Sequence, residues 1–185
     1  KEFPDAYVIP VGTGQRSNAE ARRLVDWLLF NGIEVETLRN DASFDGQTFA
    51  KGSYVVWMDQ AHRGLADTAL NVGLDVSDRI SILYAPPAAW SHGYLWGADI
   101  AEIPLDSGFS PVTNRINKTT TPDGGVEPGR AEAYALEVDS ATAPRVLNQL
   151  VGSGGLTAEL AEEDFEAQTG GTLPAGTVLF AADTA

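Results

Sequence analysis

The chain has no cysteine, one methionine and only two histidines in 185 residues. The missing thiols exclude disulfides, thiolate zinc sites, iron–sulfur clusters and a cysteine nucleophile. They do not fix the compartment, because secreted and cytosolic chains alike dispense with cysteine. Basic residues are also scarce: 12 Lys and Arg stand against 26 Asp and Glu, a net charge of -14. Such a chain repels a phosphate backbone and an anionic membrane surface, so no nucleic-acid partner is expected. No run of 18 apolar residues occurs, so no membrane insertion by a helix is expected. The opening Lys1-Glu2-Phe3-Pro4-Asp5 carries neither an initiator Met nor a signal peptide and reads as an excised or processed start.

The two histidines support no metal motif. Leu65 lies three residues after His62 and Leu95 three after His92, so neither opens H-x-x-E, and H-x-x-x-H is absent as well. A serine nucleophile needs a histidine turned toward it, yet Ser91 and His92 are chain neighbours, and G-x-S-x-G is absent. The run Gly12-Thr13-Gly14 stops short of a dinucleotide fingerprint because Ser17 stands where the third Gly belongs. Glu162-Glu163-Asp164-Glu166 reads as a solvated helix end. Accordingly, no catalytic, cofactor-binding or metal-ligating residue is assigned. The last 55 residues hold nine carboxylates against Arg145 alone, a solvated acidic surface that could also take cations or basic peptides.

What the chain does have is a repeat. Gly46-Gln47-Thr48-Phe49-Ala50-Lys51-Gly52-Ser53-Tyr54-Val55-Val56 aligns without gaps on Gly170-Gly171-Thr172-Leu173-Pro174-Ala175-Gly176-Thr177-Val178-Leu179-Phe180. Upstream, Ala6-Tyr7-Val8-Ile9 matches Ala133-Tyr134-Ala135-Leu136, each a short apolar run that reads as a buried strand. A helix follows each strand. The first opens on the capping box Ser17 to Glu20, buries Leu24, Trp27 and Leu28, and stops at Gly32. The second has Asp139 or Ser140 as its cap, Pro144 in its first turn, and a stripe of Val146, Leu147, Leu150 and Val151. Further strands are expected at 33–38 and, more weakly, at 156–160. Gly52 and Gly176 each precede a strand, where a turn requires positive φ. Each unit reads β-α-β-β. A strand, a helix and a parallel strand predict an α/β layer structure with a parallel central sheet.

Between the units, 59–71 reads as a helix capped by Asp59, 79–84 as a short strand or an irregular run before Pro86-Pro87, and 99–105 as another strand. Trp90, His92, Tyr94 and Trp96 crowd within seven residues. Exposed, they would form a ligand-contact surface able to stack on sugars or peptide side chains; buried, they are core. Residues 111–130, rich in Thr, Asn, Pro and Gly, read as a loop. The loop carries the glycosylation sequon Asn117-Lys118-Thr119 and separates a first unit, 1–110, from a second, 131–185, packed in the same domain.

Three stretches resemble the region after the catalytic domain of large bacterial M14-type zinc carboxypeptidases: Ala6-Tyr7-Val8-Ile9-Pro10, Leu28-Leu29-Phe30-Asn31-Gly32-Ile33-Glu34-Val35 and Phe49-Ala50-Lys51-Gly52-Ser53-Tyr54-Val55-Val56. Gln60-Ala61-His62-Arg63-Gly64-Leu65-Ala66 resembles that family's Gln-Pro-Tyr-Arg-x-Leu-Ala segment, with Ala61-His62 departing from Pro-Tyr. The stretch Trp90-Ser91-His92-Gly93-Tyr94-Leu95-Trp96-Gly97-Ala98-Asp99 is similar to secreted actinobacterial members. The resemblance implies a flavodoxin-like, class I glutamine-amidotransferase-like fold without that fold's catalytic cysteine. It implies a non-catalytic accessory domain of a secreted, extracellular enzyme whose zinc and peptide hydrolysis belong to the catalytic domain of the same parent chain. That domain is the expected partner, for bracing or for substrate presentation. The alternative is a carbohydrate or cell-wall binding module using Trp90, Tyr94 and Trp96, with a cell-wall or peptide ligand. A hydrolase with an unrecognised site around His62 or His92 is a third reading.

Overall fold

Four consecutive apolar residues can be buried on both faces only if something covers each face of the strand, and Ala6–Ile9 is buried throughout. This strand, β1, lies within a first compact unit, Lys1–Thr121; a second spans Pro122–Ala185. The computed structural model describes residues 2–73, 91–120, 126, 131–167 and 170–182.

In the first unit β1 leads through a 3-10 turn at Gly12–Gly14 to helix α1 (Asn18–Phe30) and strand β2 (Val35–Leu38). The hairpin β3 (Ala42–Phe44) and β4 (Gln47–Phe49) and then β5 (Tyr54–Trp57) follow. Helices α2 (Arg63–Leu70) and α3 (His92–Trp96) precede β6 (Ala101–Ile103) and β7 (Thr113–Ile116). Ser17 caps α1 by accepting from the Glu20 N–H at 3.2 Å, and Gly32 takes a positive φ just past its end.

The sheet runs β6-β1-β5-β2-β7, and every neighbouring pair is antiparallel. The expected flavodoxin-like or amidotransferase-like fold with a parallel central sheet is therefore wrong. β1 and β2 do point the same way, but β5 is inserted between them, so they never pair. A same-sense β-α-β passage fixes strand direction and leaves adjacency open, and the strand after the hairpin fills the gap with antiparallel bonds.

Alternation along β1 sorts the core into two layers. Tyr7 and Ile9 join Val35 and Val56 beneath Leu24 and Leu28 of α1, with Ala66 and Leu70 of α2 in the same cluster. On the opposite face, Ala6, Val8, Val55 and Ile103 pack with Phe49 of the hairpin, and Phe109 adds edge-on contacts to Phe44 and Phe49. A fully buried leucine of this kind contributes roughly 1.5–3 kcal/mol. The hairpin thus covers the face that a second helix layer would cover in a parallel sheet.

The second unit comprises β8 (Ala133–Leu136), α4 (Ala143–Asn148) continued by a π-type turn at Gln149–Ser153, β9 (Ala158–Leu160), the hairpin β10 (Phe165–Glu166) and β11 (Thr172–Leu173), and β12 (Val178–Ala181). Its sheet order is β8-β12-β9, again antiparallel, with the last strand inserted between the two that flank the helix. The second unit thus repeats the element order of β1 to β5, with the same insertion.

The match extends to individual hydrogen bonds. The Gly52 N–H donates to the Leu38 carbonyl at 2.9 Å, the Leu38 N–H to Ser53 at 2.9 Å, and the Ser53 N–H to Ala50 at 3.0 Å. That is a type II turn running into a bulge whose first residue is a glycine of positive φ. In the second unit Gly176 donates to Ala161, Ala161 to Thr177 and Thr177 to Pro174, at 2.8, 2.9 and 3.1 Å. Gly52 and Gly176 have φ of 90° and 89°. The turn amides of Lys51 and Ala175 donate to the carboxylates of Asp41 and Asp164, each at 2.8 Å.

Several local expectations need correction. Residues 113–116, read as part of the 111–130 loop, form β7; its polar, half-exposed residues lack the apolar alternation of a strand with one buried face. Helix α2 begins at Arg63 rather than near Asp59, because the Gln60 side chain is tied to Glu34 and Trp57 and holds the preceding segment as a turn. Glu162, Glu163 and Asp164 lie in the turn after β9, not at a helix end. The strand expected at 79–84 lies outside the described residues.

Candidate functional site

The aromatic residues singled out in the sequence fall on or beside α3, which packs on α1 and α2. On a five-residue helix, positions 92 and 96 share a face and position 94 lies opposite. His92 and Trp96 accordingly turn onto α1: the His92 ring lies 4.4 Å from Trp27 and 5.2 Å from Trp96, and Trp27 meets Trp96 edge-on at 6.2 Å. The Arg23 guanidinium sits 5.7 Å above the Trp96 ring and pairs with the nearly buried Glu20 carboxylate at 2.9 and 3.2 Å. A cation over an indole face gains from the ring quadrupole, and the Glu20 pairing holds the guanidinium in place. Tyr94 is on the other side, 64% exposed, and Leu95 beside it is 58% exposed. Trp90 lies outside the described residues. The structure therefore brings His92 and Trp96 together and separates Tyr94 from them.

Gly93 is what lets α3 sit so close. A Cβ there would meet the Ile100 Cδ1 at 2.6 Å and the Ala98 carbonyl oxygen at 2.9 Å. The α3 end is held from the other side by Gln15, whose side chain donates to the carbonyls of Pro10 and Asp99 and accepts from the Asp99 N–H. The Asp99 carboxylate takes the Arg16 guanidinium at 2.7 Å and the Arg16 N–H at 2.8 Å.

His62 occupies the position before α2, exposed, with its ring against Gly32. Ser91 is buried at the start of α3. Among the described residues no group of three or more His, Asp or Glu side chains comes together around a metal-sized space. The buried polar side chains instead link core elements. The Tyr7 hydroxyl donates to Asp67 at 3.1 Å and accepts from Asn71 at 3.3 Å, joining β1 to α2. Burial, reinforced by the Asp67 charge, pushes the Tyr7 phenol well above its ordinary value. Burial likewise raises that of Tyr54. The Glu36 carboxylate accepts from the Trp57 indole at 3.1 Å and from the Thr113 hydroxyl, locking β5 and β7 to β2.

Two features escaped the sequence reading. Trp27, expected in the α1 core stripe, is partly buried against that core and also forms the centre of the aromatic cluster; Arg23, four residues before it on the same face, was the available signal for the cluster. The second is the open state of the second sheet. Tyr134 on β8 is 41% exposed, whereas its counterpart Tyr7 is 1% exposed. A shallow basic groove at the end of β7 is lined by Arg115, Ile116, Asn117, Lys118 and Thr120, so two residues of the expected sequon, Asn117 and Lys118, line it. Thr119 of that sequon donates to Asp26 of α1 at 2.6 Å.

No family model, curated protein or solved structure matches this chain.

Proposed function

We propose that this chain is a non-catalytic accessory region of a bacterial, secreted M14-type zinc carboxypeptidase, and that the helical face of its first unit docks on the catalytic domain of the same parent. The zinc and the peptide hydrolysis belong to that domain; no residue here matches its H-x-x-E ligand pair. The observation that carries the reading is the apolar exposure of neighbouring helices: Tyr94 and Leu95 on α3 and Leu65 on α2 face solvent. Several large apolar side chains exposed on adjoining helices mark an interaction surface more often than a lone one does. The reading rests as well on the resemblance, whose motifs include stretches on β1, the α1–β2 junction, the β4–β5 turn and the start of α2. The amidotransferase-like fold forms no part of the proposal.

The test is the coding sequence upstream of Lys1, followed by the full-length protein. A zinc-peptidase domain with H-x-x-E and a later histidine is expected there. In that protein, Tyr94→Ser with Leu95→Ser should lower the melting temperature of the catalytic domain while leaving the fold of this region intact. An upstream sequence without such a domain removes the parent, and an unchanged catalytic-domain melt removes the docking face. The second reading, a cell-wall carbohydrate module, rests on the exposed Tyr94 alone, because Trp96 turns onto α1. Chemical-shift changes at 94–96 on titration with peptidoglycan fragments would establish it instead.

A further inference from the structure

The two units are built alike, but their sheets are not equally complete. In the first, both strands flanking α1 carry an outer neighbour: β6 on β1 and β7 on β2. In the second, among the described residues, no strand pairs with the outer edge of β8 or β9. Leu160 on β9 is 64% exposed. An exposed strand edge presents unpaired N–H and C=O groups that template the addition of another strand.

The first unit shows what kind of strand seats on such an edge. Glu36 of β2 stands opposite Val55, and Glu159 of β9 stands opposite Leu179, the repeat equivalent of Val55. Glu36 and Glu159 are thus the same position. On the outer side of β2, the residue opposite Glu36 is Arg115 of β7, and the one opposite Val35 is Ile116. The Arg115 guanidinium reaches the neighbouring Glu34 carboxylate at 2.9 Å. The acidic edge of the first unit is therefore closed by a strand, Thr113–Ile116, that sets one basic side chain next to one apolar side chain.

The second unit is more acidic than the first. Pro122–Ala185 holds eleven carboxylates and two arginines, Arg130 and Arg145, which leaves -9 of the chain's -14. Glu159 lies on the open edge itself, and the exposed Glu162 and Glu163 follow immediately. A second copy of this chain is a poor occupant. An antiparallel β9 pairing about a two-fold axis centred on Glu159 would set the two Glu159 side chains opposite each other, and like charges directly opposite are destabilising.

We propose that the outer edge of β9 is a docking site for an extended peptide segment that carries a basic residue next to an apolar one, added antiparallel as β7 is added to β2. The basic residue stands opposite Glu159 and an apolar one opposite Ala158. Backbone hydrogen bonds supply the sequence-independent part of the binding, and the acidic edge selects the charge. The site does not depend on the parent enzyme proposed above.

The probe is a capped synthetic peptide of residues 111–118, Pro-Val-Thr-Asn-Arg-Ile-Asn-Lys, titrated into the complete 185-residue chain. Amide shifts and hydrogen-exchange protection are expected at 157–162. Changing the peptide arginine to glutamate, or Glu159→Lys in the chain, should each weaken binding roughly three- to tenfold. Combining the two changes should restore most of the affinity, which no general loss of stability would do. Glu159 is exposed, so the variant should fold, and circular dichroism checks that it does. The proposal is overturned by any of four results: no protection at 157–162, protection at 35–38 through displacement of β7, an affinity indifferent to both charge changes, or concentration-dependent self-association that protects β9 without peptide.

Discussion

Alanine at Gly52 and at Gly176 tests whether the repeated turn is one physical device used twice. Both glycines have φ close to 90°, a conformation that side-chain-bearing residues rarely adopt. Neither site is crowded: a Cβ at Gly52 would lie 3.8 Å from Val11 Cγ2, an ordinary contact, and one at Gly176 would meet nothing within 4 Å. The cost of each substitution is therefore backbone strain alone, about 1–3 kcal/mol, and it should be the same at the two sites. The residues to watch are those whose amides close the bulge, Leu38 and Gly52 in the first unit and Ala161 and Gly176 in the second. Hydrogen exchange at Leu38 should accelerate in Gly52→Ala, and at Ala161 in Gly176→Ala. All four tryptophans fall in the first unit, so tryptophan fluorescence during urea unfolding gives an independent measure for Gly52→Ala. With a slope of roughly 1–3 kcal/mol per molar urea, its midpoint should drop by on the order of 1 M. A neutral or stabilising Gly52→Ala would refute the reasoning, because alanine restricts the unfolded chain and helps wherever φ is compatible.

Tyr7→Phe should change the alkaline limb of the stability curve. Burial raises the folded-state pKa of this phenol, so its contribution is complete below the unfolded value near 10 and is lost as pH rises above it. Urea midpoints between pH 8 and 11.5 should fall less steeply in Tyr7→Phe than in the parent chain, with an offset of about 1–3 kcal/mol at neutral pH from the donor withdrawn from buried Asp67; parallel curves would contradict this. Gly93→Ala should destabilise the first unit by about 1–3 kcal/mol and alter the near-ultraviolet circular dichroism of the Trp27–Trp96 pair, because the added methyl meets the Ala98 carbonyl. An unchanged melt and spectrum would show that α3 tolerates the shift. Asp41→Ala and Asp164→Ala should each cost about 0.5–1.5 kcal/mol, with faster exchange at Lys51 and Ala175 respectively. Unequal effects would mean that the two turns are not mechanically equivalent.

Local signals reached the features that depend on a few consecutive residues. The cap at Ser17, the stop at Gly32, the positive-φ turns at Gly52 and Gly176 and the buried run of β1 all follow from conformational preferences that neighbouring side chains set. The alignment of the repeat was legible for the same reason, since the turn and the strand after it demand the same residue types in both copies. The aromatic stretch was legible as a cluster of residues, but not as two faces. The side that His92, Tyr94 and Trp96 each take depends on where α3 meets α1.

Sequence by itself determined the repeating units, their turns and the surplus of acid on the second. Only the tertiary structure decided which strands touch. β5 lies between β1 and β2, β7 closes the first sheet, and β9 keeps an open edge among the described residues. The reason is that a strand's own residues specify which of its faces is apolar, whereas its neighbour is chosen by backbone groups that every residue carries alike.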